Sequence, residues 1–375
     1  MHTLKLDETQ GTTVMRLATD YSPPRSWRTW LIGRPLPTAD APHQTVGRLI
    51  GLAVFASDAL SSTAYATQEI LVILAAVGTA AFGLAFPISI AIAILLAIVT
   101  ISYQQTIHAY PDGGGAYIVA RDNLGEVPAQ VAGAALLTDY VLTVAVSVSS
   151  GVAQLVSAYP DLLPHRVPIA VILVLFVMII NLRGVREAGS AFAIPTYFFL
   201  AMIILAVGTS FVRYLTGTLG GVVNPPPMEV LHGTQALSLF LILRAFSGGT
   251  TALTGVEAIS NGITAFREPR SRNAAITLIW MASILGTLLL AITFLAGQIG
   301  AIPSEAETVI SQLARTAFGG RGSLYLATIA ATTVILIMAA NTSFAGFPRL
   351  SALIAADGFL PRQFTYRGSR LVYSR

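Results

Sequence analysis

The sequence predicts an all-α membrane protein of about eight transmembrane helices, the first and sixth of them broken. Three observations predict it. Only 11% of the 375 residues are charged and mean hydropathy is +0.71, whereas soluble domains carry about a quarter charged residues. Apolar stretches long enough to cross a bilayer recur along the chain. Two of them, residues 50–78 and 237–263, are interrupted by small and polar residues followed by a carboxylate. Broken apolar segments in matching places of two halves mark an inverted repeat, with a binding site near mid-membrane where the helices come apart.

Residues 1–46 are polar and hold Pro23, Pro24, Pro35 and Pro37. They read as a cytoplasmic tail without a cleavable signal peptide. Residues 47–347 form the transmembrane domain. Span 1 covers 50–78, and span 2, about 82–107, is aliphatic throughout and expected to be a lipid-facing scaffold. A connector, 108–125, holds Pro111-Asp112-Gly113-Gly114-Gly115-Ala116-Tyr117. Spans 3, 4 and 5 cover about 127–158, 167–181 and 191–214, and a loop with Pro225-Pro226-Pro227 separates the halves. Span 6 is the second broken stretch, and spans 7 and 8 cover about 273–299 and 323–344. Residues 348–375 read as a cytoplasmic connector ending at a truncation, because a repeat of five plus five spans needs two more.

Basic residues orient the chain, since cytoplasmic loops hold the excess of Lys and Arg. With the N-terminus inside, seventeen fall on the inner side and four (Arg166, Arg213, Arg315, Arg321) on the outer. This places both termini in the cytoplasm after eight crossings of the cell's inner (plasma) membrane. Arg244 falls within span 6, as a residue that snorkels to the interface or as an outer gate.

Several function classes are excluded. There is no cysteine and there are five scattered histidines, which argues against disulfides, thiol chemistry and zinc. Basic residues confined to loops give no nucleic-acid surface. The Pro-Asp-Gly-Gly-Gly run lacks the Lys-Ser/Thr ending of a phosphate loop, and the metalloprotease and nucleophile-elbow motifs are absent. No enzyme and no cofactor is expected; the only metal is a transported one.

The candidate chemistry lies at the breaks. Asp58 stands in Ala56-Ser57-Asp58-Ala59-Leu60-Ser61-Ser62-Thr63, with Tyr65 and Glu69 beyond. A carboxylate at mid-membrane costs about 2.5–3.5 kcal/mol on insertion scales. It therefore serves as an oxygen ligand for a cation, beside carbonyls freed by unwinding, or caps the helix that follows. In span 3, Asp139, Thr143 and Ser147 recur every fourth residue beside Tyr140, continued by Ser150 and Gln154, so they share one face directed into the bundle. Ser150 and Gln154 read as interhelical hydrogen-bond partners. In span 6, Thr254 and Glu257 follow Ser247-Gly248-Gly249-Thr250-Thr251, and Asp58 and Glu257 are the candidate proton carriers. Asn341-Thr342-Ser343 in span 8 reads as an ion contact or as helix capping. If Asp58, Asp139 and Glu257 converge, cations or protons must compensate them.

FASDALSSTAYATQEIL, PDGGGAY, LLTDYVLTVAVSVSSGVAQ, ALTGVEAISNG and NTSFAGFPRLSALIAADGFLPRQF together resemble the amino acid–polyamine–cation superfamily. Within it they look most like potassium importers of the KimA type in the potassium-uptake (KUP) group. The resemblance runs from about Arg34 to the end. It implies a LeuT-like inverted-repeat fold, here incomplete, that couples entry of potassium to protons. Its potassium site, carried onto matching positions, comprises Asp58, Tyr65, Asp139, Tyr140, Thr143, Ser147, Thr254 and Glu257. The resemblance also implies four more spans, a soluble cytoplasmic domain and homodimerisation in the full-length family, and nucleotide control in some members. The partners expected are potassium ions, protons and membrane lipid.

Three functions compete. Proton-coupled potassium uptake leads, because Asp58 at the break repels a substrate carboxylate and attracts a cation. An amino-acid or polyamine permease is the alternative, and a cationic amine escapes the charge argument. The third is a truncated membrane protein that does not transport.

Overall fold

A computed structural model of the chain describes residues 45–111, 113, 115–182, 189–226 and 236–366. Almost all of the expected N-terminal tail, Asp112 and Gly114 of the connector, Pro227, and the end of the 348–375 segment lie outside the described residues. The described part is helical, with no strand; one isolated bridge joins Val46 to Phe266. Seven helices are long and apolar enough to cross a membrane, and eight spans result when the bent pair Arg48–Phe55 and Ser57–Ala75 counts as one.

That pair is span 1, bent by 60°. Span 2 is Thr79–Ala109, span 3 Glu126–Ala158, span 4 Pro160–Asn181 and span 5 Ala193–Leu215. Span 6 is Leu239–Asn261, span 7 Arg270–Ile299 and span 8 Ser323–Ala356. The connector between spans 2 and 3 forms the helix Ala116–Leu124, and the loop between spans 7 and 8 forms the helix Val309–Phe318. Span 8 continues well past residue 347, where the connector was expected to begin.

The apolar residues divide into one main core and smaller clusters. The main core joins spans 1, 2, 5, 6 and 7 and reaches span 8 through Ala331, Ile335 and Leu336. Span 2 is more than a lipid-facing scaffold: Ile88, Ile92 and Leu96 are buried, while Ile90, Ile94 and Ile98 face outward. Span 3 runs along span 8, and span 7 along span 2. Close approach at the inner half of span 1 depends on small residues: a Cβ on Gly51 or Gly262 would run into the rings of Phe266 or Phe55. Those two rings stack at 5.3 Å. The N-terminal end of span 1 is thereby fixed to the end of span 6, where Val46 N donates to the Ala265 carbonyl at 2.8 Å.

Candidate cation site at the two helix breaks

Both breaks are built by the same local chemistry. In span 1 the helix gives way to a 3₁₀ turn over Ser62–Ala64. Ser61 and Ser62 donate to the Asp58 carbonyl at 2.7 and 3.2 Å, and Thr63 donates to Leu60 O at 2.8 Å. In span 6 a 3₁₀ turn spans Thr250–Leu253, where Thr250 and Thr251 donate to Ser247 O and Gly248 O at 2.6 and 2.8 Å. Hydroxyls folded back onto carbonyls three or four residues earlier satisfy groups that a broken helix would leave without partners. The polar composition at each break is thus what permits the break inside a membrane.

The breaks meet. Gly255 has φ +84°, and a Cβ there would stand 2.9 Å from Asp58 Oδ2 and 3.0 Å from Asp58 Cγ. Only glycine combines that backbone geometry with that approach. Asp58 is 4% exposed, and its Oδ1 has no hydrogen-bond partner. The helices Ser57–Ser61 and Ala66–Ala75 receive no side-chain cap, so the capping role is not what Asp58 does here. The Thr342 hydroxyl lies against its carboxylate. Glu257 takes the N-cap position of the short helix Ala258–Asn261 and accepts from the backbone of its own turn.

Asp58, Tyr140, Glu257 and Thr342 line one cavity of about 400 Å³, together with Gly255, Asn261 and the apolar walls Val54, Phe55, Leu136 and Leu350. Tyr117 and Arg349 also line it. Tyr140 is seated against span 8 at Gly346, where a Cβ would meet its ring at 2.8 Å.

The other candidates lie off this cavity. Tyr65 is buried, its hydroxyl 3.0 Å from Ser62 Oγ. Thr143 and Ser147 are buried on span 3, and Ser147 Oγ has no partner. Asp139 is half-buried and within electrostatic range of Asp58 and Glu257. Thr254 closes the span 6 turn. Among the described residues no three carboxylates or histidines are grouped to hold one ion, so two of the three acids share the cavity and the third stands apart. Gln154 serves structure, as its type and position suggested, accepting from Thr308 Oγ1 at 2.9 Å. Arg244 is on an exposed face with Phe240 and Leu243 and is not on the cavity wall.

Gly346, Asn261 and Tyr117 were not singled out from sequence as cavity-lining residues. Gly346 had a signal: it follows Thr342 by four positions on one helix face.

The model of the amino acid permease family matches residues 46–374. The potassium transporter KimA of Bacillus subtilis (strain 168) is 46% identical over 351 residues, which cover 93% of this chain and 57% of that protein. The chloroplastic cationic amino acid transporters 7 and 6 of Arabidopsis thaliana are 29% and 25% identical, over 60% and 58% of this chain and 38% of each relative. The chain spans less than two thirds of the length of the curated relatives it matches.

Proposed function

The chain belongs to the amino acid permease family, and on that premise we propose that it takes up potassium together with protons by alternating access. The observation that carries the reading is Asp58 at the junction of the two breaks, with an unpartnered carboxylate oxygen at a cavity that Glu257 shares. An acid pair in a low-dielectric site repels a substrate carboxylate and stabilises a cation. One potassium ion and one proton together balance the two acids, which makes Asp58 and Glu257 the candidate carriers. Similarity to the Bacillus potassium transporter supports the same cargo.

In this reading the ion is bound at the cavity by Asp58, Tyr140 and Glu257, while Tyr65 and Thr254 shape the two breaks beside it and Asp139, Thr143 and Ser147 continue its path along span 3. The distribution of basic residues supports termini in the cytoplasm of a cell with the chain in its inner membrane, so the cavity opens inward. Spans 1 and 6 then move against spans 3 and 8.

Expressed in a bacterial strain lacking potassium import, the protein is expected to restore growth at low potassium and to take up rubidium. Asp58→Asn is expected to abolish both while membrane insertion stays intact; normal uptake by that variant would remove Asp58 from the mechanism. A second reading, uptake of a cationic amino acid or polyamine, is favoured by the cavity's size and apolar walls, which exceed what a bare ion needs. Lysine or spermidine uptake without rubidium uptake would replace the first reading by the second.

A further inference from the structure

Two motifs supply none of the candidate ion ligands: the connector, which only walls the cavity, and the Ala-Asp-Gly-Phe-Leu-Pro run at the end of span 8. They meet. Tyr117, Ala129, Leu350 and Ile354 form a small core of their own, joining the helix Ala116–Leu124, the start of span 3 and the last turns of span 8. Gly133 allows this packing, since a Cβ there would lie 2.9 Å from Ile354 Cδ1 and 3.1 Å from the Tyr117 ring. At the rim, Asp357 Oδ2 accepts from the Tyr117 hydroxyl at 2.7 Å and from Arg121 Nη1 at 2.8 Å. Gln130 Nε2 donates to the same hydroxyl at 3.4 Å.

The other end of the connector touches span 6. A Cβ on Gly115 would stand 2.5 Å from Asn261 Oδ1, and one on Gly113 would be 3.5 Å from the Asn261 carbonyl. The connector therefore crosses the cavity mouth between two bodies. Among the described residues its attachments are unequal: an apolar core with two charge-assisted hydrogen bonds on the span 8 side, and the close approach of Gly113 and Gly115 to Asn261 on the span 6 side. Apolar contact is non-directional, whereas a carboxylate shared by a phenol and a guanidinium fixes orientation. A relative movement of the two bodies parts the weaker attachment.

We infer that Asp357 is a positioning residue that fastens the connector to span 8, so that the cavity mouth opens and closes at the seam where Gly113 and Gly115 meet Asn261. Asp357 acts through Tyr117, which lines the cavity, and touches no ion. Naming this opening a transport mouth rests on the function proposed above; the seam itself does not.

The 375 residues hold no cysteine, so Ile118→Cys places a single thiol reporter on the connector's cavity side. Adding Asp357→Ala is expected to raise its labelling rate by a thiol reagent about tenfold, the weight of one hydrogen bond to a charged group. Asp357→Glu is expected to restore the original rate, and Arg121→Met, which keeps the Tyr117 bond, to give about a threefold rise. Ser304→Cys, at the opposite end of the bundle, serves as control. An unchanged rate with Asp357→Ala overturns the inference, as does an equal rise at Ser304→Cys, which means general loosening. In rubidium uptake, Asp357→Ala is expected to lower Vmax with KM unaltered, and a raised KM at unchanged Vmax counts against the positioning role. Labelling that behaves as expected without any rubidium uptake by the parent would sink the potassium reading and leave the seam standing.

Discussion

At one end of the bundle, the loop between spans 7 and 8 folds into the helix Val309–Phe318 and is tied to its surroundings by side-chain hydrogen bonds and ion pairs. Thr308 caps that helix by accepting from Ser311 N at 3.2 Å, and Gln312 exchanges two hydrogen bonds with the backbone of Ile302 at 2.6 and 3.0 Å. Buried Glu307 pairs with Arg315, 2.9 Å apart, and Arg213 Nη1 donates to the Thr316 and Ala317 carbonyls at 2.6 and 3.1 Å. Arg166 and Glu305 close a further ion pair there. At the other end, the described connector is held by Asp357 and a core of four buried residues. Among the described residues, the first loop is held by several ion pairs and side-chain hydrogen bonds, and the connector by one shared carboxylate and a small apolar core.

The contrast breaks most severely at Glu307. Its removal in Glu307→Ala leaves the partly buried Arg315 guanidinium with the Val223 carbonyl but without its carboxylate, and the buried Ser311 hydroxyl without that acceptor, at a cost of about 1–3 kcal/mol. A lower unfolding temperature in detergent and protease sensitivity confined to 301–322 are expected; an unchanged melting profile contradicts the account of that end. Gly255→Ala follows, because a methyl group at positive φ costs about 1–2 kcal/mol and presses on Asp58. Uptake is expected to fall at least tenfold with the folded fraction largely kept, and full activity would mean that the two breaks do not meet as described. Thr308→Ala removes a helix cap, expected to cost about 1 kcal/mol, read as faster amide exchange at Val309–Ser311.

The smallest effect concerns acid at the connector's end. Asp357 is held below the usual carboxylate range, first by the Tyr117 hydroxyl and next by Arg121, itself beside Asp122. A carboxyl depressed in the folded state contributes stability that is complete above its unfolded value and lost as pH falls through its folded value. The labelling rate of Ile118→Cys relative to Ser304→Cys, a ratio that cancels the loss of thiolate in acid, is expected to stay flat from neutral pH down to the ordinary carboxylate range and to rise below it. A rise already near pH 6 would implicate another group.

Much of this was legible because lipid imposes strong rules. A chain so poor in charge has to be a helical bundle, and Asp58 and Glu257 stand out because an acid in a membrane has few reasons to be there. The stripe from Asp139 to Gln154 was legible as one face, yet where that face points depends on the partner helix, so sequence could not tell that Tyr140 reaches the cavity and Asp139 does not. Span 2 was misjudged as lipid-facing throughout since an all-aliphatic helix carries no polar contrast between its packed and lipid sides. Asp357 was invisible for another reason: its partner Tyr117 lies 240 positions away, and neither residue looks unusual in its own segment.

Gly255 rests against the Asp58 carboxylate, so a shift of the span 6 break toward span 1 presses on that acid. The two breaks are thereby neighbours in contact, so that a change in the backbone of one is felt at the carboxylate of the other.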